Sequence, residues 1–201
     1  MDLHPWISFG GLTALYFATV LAQSALKPMW FDEFITLYIS QLGSVRAIWS
    51  VALVRGADPN PPLYHVLAMY SMRVFGQNAL ALRLPAILAN WVAMAGLYVF
   101  LRARLPVFYT VLGTCFFIAM GGFDYSYEAR PYALLLCFSI SSLLLWRGVS
   151  ERRNSNVYTI GLALALAGGI SSNYFGCLAV LPIAAGETLL SFQRKDVHWR
   201  V

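Results

Sequence analysis

ISFGGLTALYFATVLAQSAL, residues 7–26, runs for 20 positions without a charged side chain. At 1.5 Å of rise per residue, a helix of that length covers the ~30 Å hydrocarbon core of a bilayer. A secretory signal peptide would also be apolar, and Ala22-Gln23-Ser24 is a passable cleavage tripeptide. But the run is longer than the roughly 7 to 15 residues of a signal h-region, and Asp2 and His4 precede it with no Lys or Arg. The stretch reads as a first membrane span.

Working outward from it, uncharged runs recur at 84–101, 105–123 and 132–146, followed by one at 157–186. The last has 30 residues, which as a single helix would reach ~45 Å and overshoot the membrane. Gly168-Gly169 and Ser171-Ser172-Asn173 supply a turn near its middle, so it reads as a hairpin of two short helices. Composition agrees. Hydrophobic residues are 59% of the 201 and charged residues 11%, with mean hydropathy +0.64. A soluble domain carries about 25% charge. The net charge of +5 sits in short loops between apolar runs and not along one stripe, which argues against a nucleic-acid partner. Cys115, Cys137 and Cys177 each lie inside an apolar run without CxxC spacing, and read as packing residues.

The loop charges give an orientation. Arg102 with Arg104, then Arg147 with Arg152 and Arg153, then Arg194 with Lys195 and Arg200, occupy alternate loops, which the positive-inside rule places in the cytoplasm. The intervening segments, Asp32 to His65, Phe123 to Tyr132 and Ser171 to Tyr174, then face outward. The expected fold is all-α: a polytopic membrane helical bundle of about six transmembrane helices with both termini inside. Residues 1–26 hold the first span, 27–78 an outward loop with interfacial helices, 79–192 five further spans and 193–201 a basic cytoplasmic tail. Within the outward loop, Leu63 to Phe75 is apolar but short, begins after Pro61-Pro62 and contains His65 and Arg73, so it reads as an interfacial or re-entrant helix. Phe34 to Arg55 places Phe34, Leu37, Tyr38, Leu42, Val45, Ile48, Trp49 and Ala52 at helical spacing, predicting one amphipathic helix on the outer membrane surface.

Chemistry gathers in the outward segments: Trp30-Phe31-Asp32-Glu33, Asp58-Pro59-Asn60-Pro61-Pro62-Leu63-Tyr64-His65, and Glu128-Ala129-Arg130-Pro131-Tyr132. Charges are costly in a bilayer, roughly 2.5 to 3.5 kcal/mol at a helix centre, so their collection on one side points to function. A carboxylate at the membrane surface beside aromatic rings can serve as a general base or a metal ligand, though Asp32 and Glu33 alone also fit a solvated acidic loop. Arg83, followed by Pro85 at the mouth of the second span, is either snorkelling to head groups or binding phosphate. Arg130 stands in a turn with Asp124, Tyr125, Tyr127 and Tyr132, suited to a sugar and phosphate or to interfacial anchoring.

The ordered set of these motifs, with Phe-Gly-x-x-Ala-Leu-Ala-Leu-Arg-Leu-Pro at 75–85 between the second and third, resembles the membrane half of GT-C glycosyltransferases. The nearest likeness is to the bacterial group similar to dolichyl-phosphate-mannose protein mannosyltransferases and aminoarabinose transferases, over roughly residues 7 to 190. That resemblance implies a polyprenyl-phosphate-linked sugar donor in the membrane lipids and transfer to an acceptor on the outer face. It assigns Asp32 and Glu33 as catalytic, Arg83 and Arg130 to the donor phosphate, and Tyr64, His65, Glu128, Tyr132, Asn173 and Tyr174 to substrate contact. Some branches of the family use a divalent metal and others do not; the outward acids here leave a divalent metal possible without indicating one. Family members usually continue through more spans, so a partner chain or self-association is expected to cover spans 5 and 6. Two rival readings are an accessory subunit that binds lipid-linked sugar without turnover, and a transporter or flippase subunit. The latter predicts ionisable residues or broken helices near the midplane, where these span interiors carry no charges.

Overall fold

The computed structural model describes residues 4–119, 123–151 and 156–194, and among these all regular structure is helical. The α-helices are α1 (Pro5–Leu26), α2 (Phe31–Ser40), α3 (Val45–Trp49), α4 (Leu63–Phe75), α5 (Ala79–Arg102), α6 (Val107–Phe117), α7 (Tyr132–Glu151), α8 (Asn156–Ser172) and α9 (Val180–Arg194). A π-helical turn at Ser50–Val54 extends α3, and 3-10 turns occupy Asp124–Ser126 and Tyr174–Ala179. Lys195 and Arg200 of the tail, with Arg152 and Arg153, lie outside the described residues.

Side-chain contacts fix the direction of each pass. Tyr98 donates to the Pro5 carbonyl at 2.7 Å, Tyr16 to that of Ile87 at 2.8 Å, and Arg83 to that of Ser24 at 2.7 Å, so α1 and α5 run antiparallel. Along α7, Leu134 packs with the start of α5, while Ile140 and Leu144 sit over Gly96 further on, so α5 and α7 run parallel. On the other side of α7, Gly168 faces Phe138 and Gly148 faces Tyr158, which makes α8 antiparallel. The chain therefore passes along the bundle six times, with Pro5, Arg102, Arg147 and Glu151 at one end and all three motifs at the other. Among the described residues four segments are long and apolar enough to cross a membrane: Pro5–Leu26, Ala79–Arg102, Tyr132–Glu151 and Tyr174–Gln193. The 17 residues of α8 are at the lower limit, and the 11 of α6 reach only ~16 Å. Many large apolar side chains point outward, among them Ile7, Leu15, Leu112, Leu164 and Leu181, as lipid contact requires.

Where lipid surrounds a bundle, helices associate through close packing of small residues. Gly96, Gly161 and Gly168 each receive a large side chain, Ile140, Leu145 and Phe138 in turn. The tightest approach to backbone is Gly176, where a Cβ would stand 2.3 Å from the Gly169 backbone. That contact folds the 174–179 turn back onto α8. Since backbone cannot swing aside, Gly176→Ala should destabilise the hairpin by about 1 to 3 kcal/mol. Gly10→Ala, at a site with open space, should be harmless; thermal unfolding of both in detergent checks the contrast.

In one place the first outward loop departs from expectation. The helix predicted over Phe34 to Arg55 is two helices, because Gly43 adopts φ +75° and Ser44 caps α3 by accepting from the Ala47 N–H at 3.2 Å. The break lets α2 and α3 fold over α4, burying Ile39, Ile48 and Met69 together. The short helix expected at Leu63 to Phe75 is α4. It docks where Pro85 interrupts α5: the Ala81 carbonyl, which a residue-85 amide would normally serve, accepts from Ser71 at 2.5 Å. Tyr64 donates to the neighbouring Leu82 carbonyl at 3.1 Å.

Candidate active site

Asp32 and Glu33 occupy the first turn of α2, adjacent in sequence and opposite in environment. Glu33 is fully buried and meets Arg83, also fully buried, in a two-pronged ion pair: Nε to Oε1 at 2.8 Å and Nη2 to Oε2 at 2.7 Å. Each carboxylate oxygen accepts one more bond, Oε1 from the Ala129 N–H at 2.8 Å and Oε2 from the Trp30 N–H at 3.0 Å. The second is half of a helix capping box. The remaining Arg83 donors go to the carbonyls of Ser24 (2.7 Å), Lys27 (3.1 Å) and Pro28 (3.3 Å). A guanidinium has five N–H groups, and all five are engaged by protein.

That count changes the role of Arg83. The sequence suggested a donor-phosphate contact, but with every N–H directed inward Arg83 presents none to a ligand. It is instead a pin joining the end of α1, the start of α2, the start of α5 and the 128–130 turn. Burial pushes the Glu33 carboxyl up, and the Arg83 and backbone bonds outweigh it and hold it below the ordinary carboxylate range. Asp58 is also lowered: burial raises it, and the bonds from His65 and Asn60 prevail. In acid the unfolded chain therefore binds more protons than the folded one. The stability these groups supply is complete above their unfolded values near pH 4 and drains away as pH falls through the lower folded values. Thermal stability should be level from about pH 7 to 5 and fall below about 4, and Asp58→Asn should flatten part of that fall.

Around the pin lie two partly exposed ion pairs. Arg130 Nη2 stands 2.8 Å from Asp32 Oδ2, with the side chains 27% and 34% exposed. Lys27 Nζ stands 2.5 Å from Glu128 Oε1, at 28% and 17%. Arg130 also lies over the Tyr132 ring at 5.2 Å and Lys27 over that of Tyr127 at 4.9 Å, while Tyr125 packs on Tyr132 at 4.7 Å between centroids. Tyr127 is pushed up to about 12 by burial and its bond to Asp124.

A second polar chain ties the Asp58 to His65 motif to Asn173. His65 Nε2 lies 3.4 Å from Asp58 Oδ2, Asp58 Oδ1 accepts from the Asn60 side-chain amide at 2.9 Å, and Asn60 Oδ1 accepts from Asn173 Nδ2 at 2.9 Å. Asn173 in turn accepts from the Phe175 N–H at 2.9 Å. Beside it a cavity of about 400 Å³ opens between α3 and α8, lined by Trp49, Pro61, Pro62, Leu63, Ile170 and Tyr174 among others.

Of the ten residues assigned to catalysis, donor phosphate or substrate, Asp32, Glu128, Arg130, Tyr132 and Tyr174 reach the surface of this end. Glu33, Tyr64, His65, Arg83 and Asn173 are buried, with hydrogen bonds or ion pairs to protein. Burial turns those five from contact into support. Tyr64, expected to contact substrate, is enclosed by α5, and its hydroxyl is raised well above the ordinary value by burial first and the Glu33 charge second. Sequence reasoning missed Lys27, the first residue of the outward loop; its signal was being the single lysine outside the tail. Among the described residues no three of His, Cys, Asp and Glu come together to hold a metal ion. Asp32 and Asp58 are instead matched to Arg130 and His65.

The sequence model of one family, described as dolichyl-phosphate-mannose-protein mannosyltransferase, matches residues 59–200. No curated protein and no solved structure matches the chain.

Proposed function

From a chain that belongs to the dolichyl-phosphate-mannose-protein mannosyltransferase family, a multi-pass membrane glycosyltransferase of GT-C type, we propose a transferase that moves a sugar from a polyprenyl-phosphate donor to an acceptor hydroxyl. The single observation carrying this reading is the Asp32 and Arg130 pair, a partly exposed carboxylate and a partly exposed guanidinium in contact at the end of the bundle where the motifs meet. Transfer from a phosphate-linked sugar needs that combination: a group to take a proton and a cation where phosphate charge develops. The acceptor oxygen attacks the anomeric carbon from the face opposite the phosphate, and its proton passes to an Asp32 oxygen. The carbon–oxygen bond to phosphate breaks, its electron pair leaving on the phosphate, and the sugar is inverted. Glu33 takes no proton in this scheme; with Arg83 it fixes the backbone on either side of Asp32 and Arg130.

Arg130→Ala should weaken donor binding by about 1.5 to 3 kcal/mol, the value of a charged hydrogen bond, while the acceptor KM changes little. Measured donor KM in membranes checks it. A donor KM equal to wild type at reduced kcat would move the phosphate elsewhere.

The active end is proposed to face outward at the plasma membrane, because Arg102, Arg104 and Arg147 belong to the opposite end. In a cysteine-free background, single cysteines at the exposed positions Ala57 and Tyr125 should react with an impermeant thiol reagent from outside, and one at Arg104 should not. Labelling at Arg104 from outside would reverse the orientation.

A further inference from the structure

With the five Arg83 donors turned inward, the phosphate needs cations from elsewhere, and the two ion pairs flanking the pin supply them. Lys27 comes from the segment joining α1 to α2 and Asp32 from the first turn of α2, and Glu128 and Arg130 from the turn before α7. Between Glu128 and Arg130, the Ala129 N–H donates to Glu33 at 2.8 Å; beside Lys27's side chain, its own carbonyl accepts from Arg83 at 3.1 Å. The backbone of both segments is therefore held by one buried pair, and the cations project from fixed positions. Each cation is still partly open to solvent, and each is in contact with a carboxylate.

We infer that Lys27 and Arg130 together bind the phosphate of the polyprenyl donor, and that Glu128 and Asp32 hold the places of phosphate oxygens until it arrives. This rests on the transferase reading above and extends it to a residue and an exchange of partners. Partly exposed ion pairs are worth little, whereas phosphate offers several charged acceptors at once, so the exchange runs toward phosphate. Its consequence for the chemistry is an order of events. Asp32 Oδ2 is engaged by Arg130 while the site is empty of donor, and becomes free for an acceptor hydroxyl when phosphate takes Arg130. Glu128 has no part in proton transfer; it competes for Lys27, and its removal should favour the phosphate.

The test is equilibrium binding of a polyprenyl monophosphate to the purified full-length chain in nanodiscs of neutral lipid, with the matching polyprenol as uncharged control. Lys27→Gln should weaken the monophosphate by about tenfold or more and leave the alcohol unchanged. Lys27→Arg should restore most of the affinity, and Glu128→Gln should tighten it. If Lys27 is only a strap to Glu128, both glutamine variants break the same strap and shift binding in the same direction, or not at all; either result overturns the inference. Inorganic phosphate and anionic phospholipid vesicles are the competing arms. Displacement of the probe by either at equal concentration makes the pair a general anion site and also overturns it. A wild-type chain that fails to prefer monophosphate over alcohol overturns the transferase reading itself, whereas a preference that survives Lys27→Gln overturns only the role of Lys27.

Discussion

Arg83→Ala should lose its fold before it loses affinity for any one ligand. The substitution leaves the Glu33 carboxylate buried without a cation, and strips a donor from the carbonyls of Ser24, Lys27 and Pro28. Breaking one side of a buried pair costs about 3 to 5 kcal/mol, against a total stability of about 5 to 15 for an ordinary domain. Arg83→Lys should rescue little, because an ammonium has three donors where this site engages five. The apolar double variant Arg83→Met with Glu33→Leu should be less damaged than either single change, since it leaves no orphaned charge. Thermal unfolding and monodispersity in detergent report each case. A normally stable Arg83→Ala chain with a selectively weakened donor would return Arg83 to the phosphate.

Asp32→Asn has the second large expected effect, confined to turnover. The amide keeps the shape of the side chain and can still accept from Arg130, but it cannot take the proton of an attacking hydroxyl. General-base catalysis contributes about 10² to 10⁴ in rate, so transfer of a radiolabelled sugar from its polyprenyl phosphate should fall by that factor. Donor binding should not weaken and should tighten if anything, because the neutral amide competes less for Arg130, and the unfolding temperature should stay near wild type, because Asp32 is a third exposed and holds up no core. Activity within about tenfold of wild type would remove Asp32 from the role of base.

Much of the architecture was legible because it is written locally. An apolar run of membrane length needs no knowledge of its neighbours, and a break in the last one was legible too, although the helix runs through Gly168 and Gly169 to Ser172 and the chain turns only from Asn173. The break at Gly43 was hidden, since the amphipathic spacing of Phe34 through Ala52 continues across it and a periodicity carries no record of one positive φ. Arg83 was ambiguous for a different reason. An arginine at the mouth of a span looks the same whether it turns to the head groups or inward, and what decides is a carboxylate 50 residues earlier together with three carbonyls. The Asn60 to Asn173 bond spans 113 residues and left no local trace either. Family likeness marked Tyr64 and His65 as important without distinguishing contact from support.

The pin around Glu33 also has a place in time. Its partners are made in sequence: Trp30 with it, Arg83 50 residues later and Ala129 96 residues later. At roughly 5 to 20 residues per second, the ribosome takes on the order of 5 to 20 seconds to deliver the last of them. Until Arg83 has followed, α2 has no cation for its buried anchor, and until Ala129 has followed the anchor is incomplete. The end of the bundle where the motifs meet is thus completed only after α5 and the return pass have been made, so a nascent chain stalled before residue 129 carries Asp32 and Glu33 without the framework that holds them.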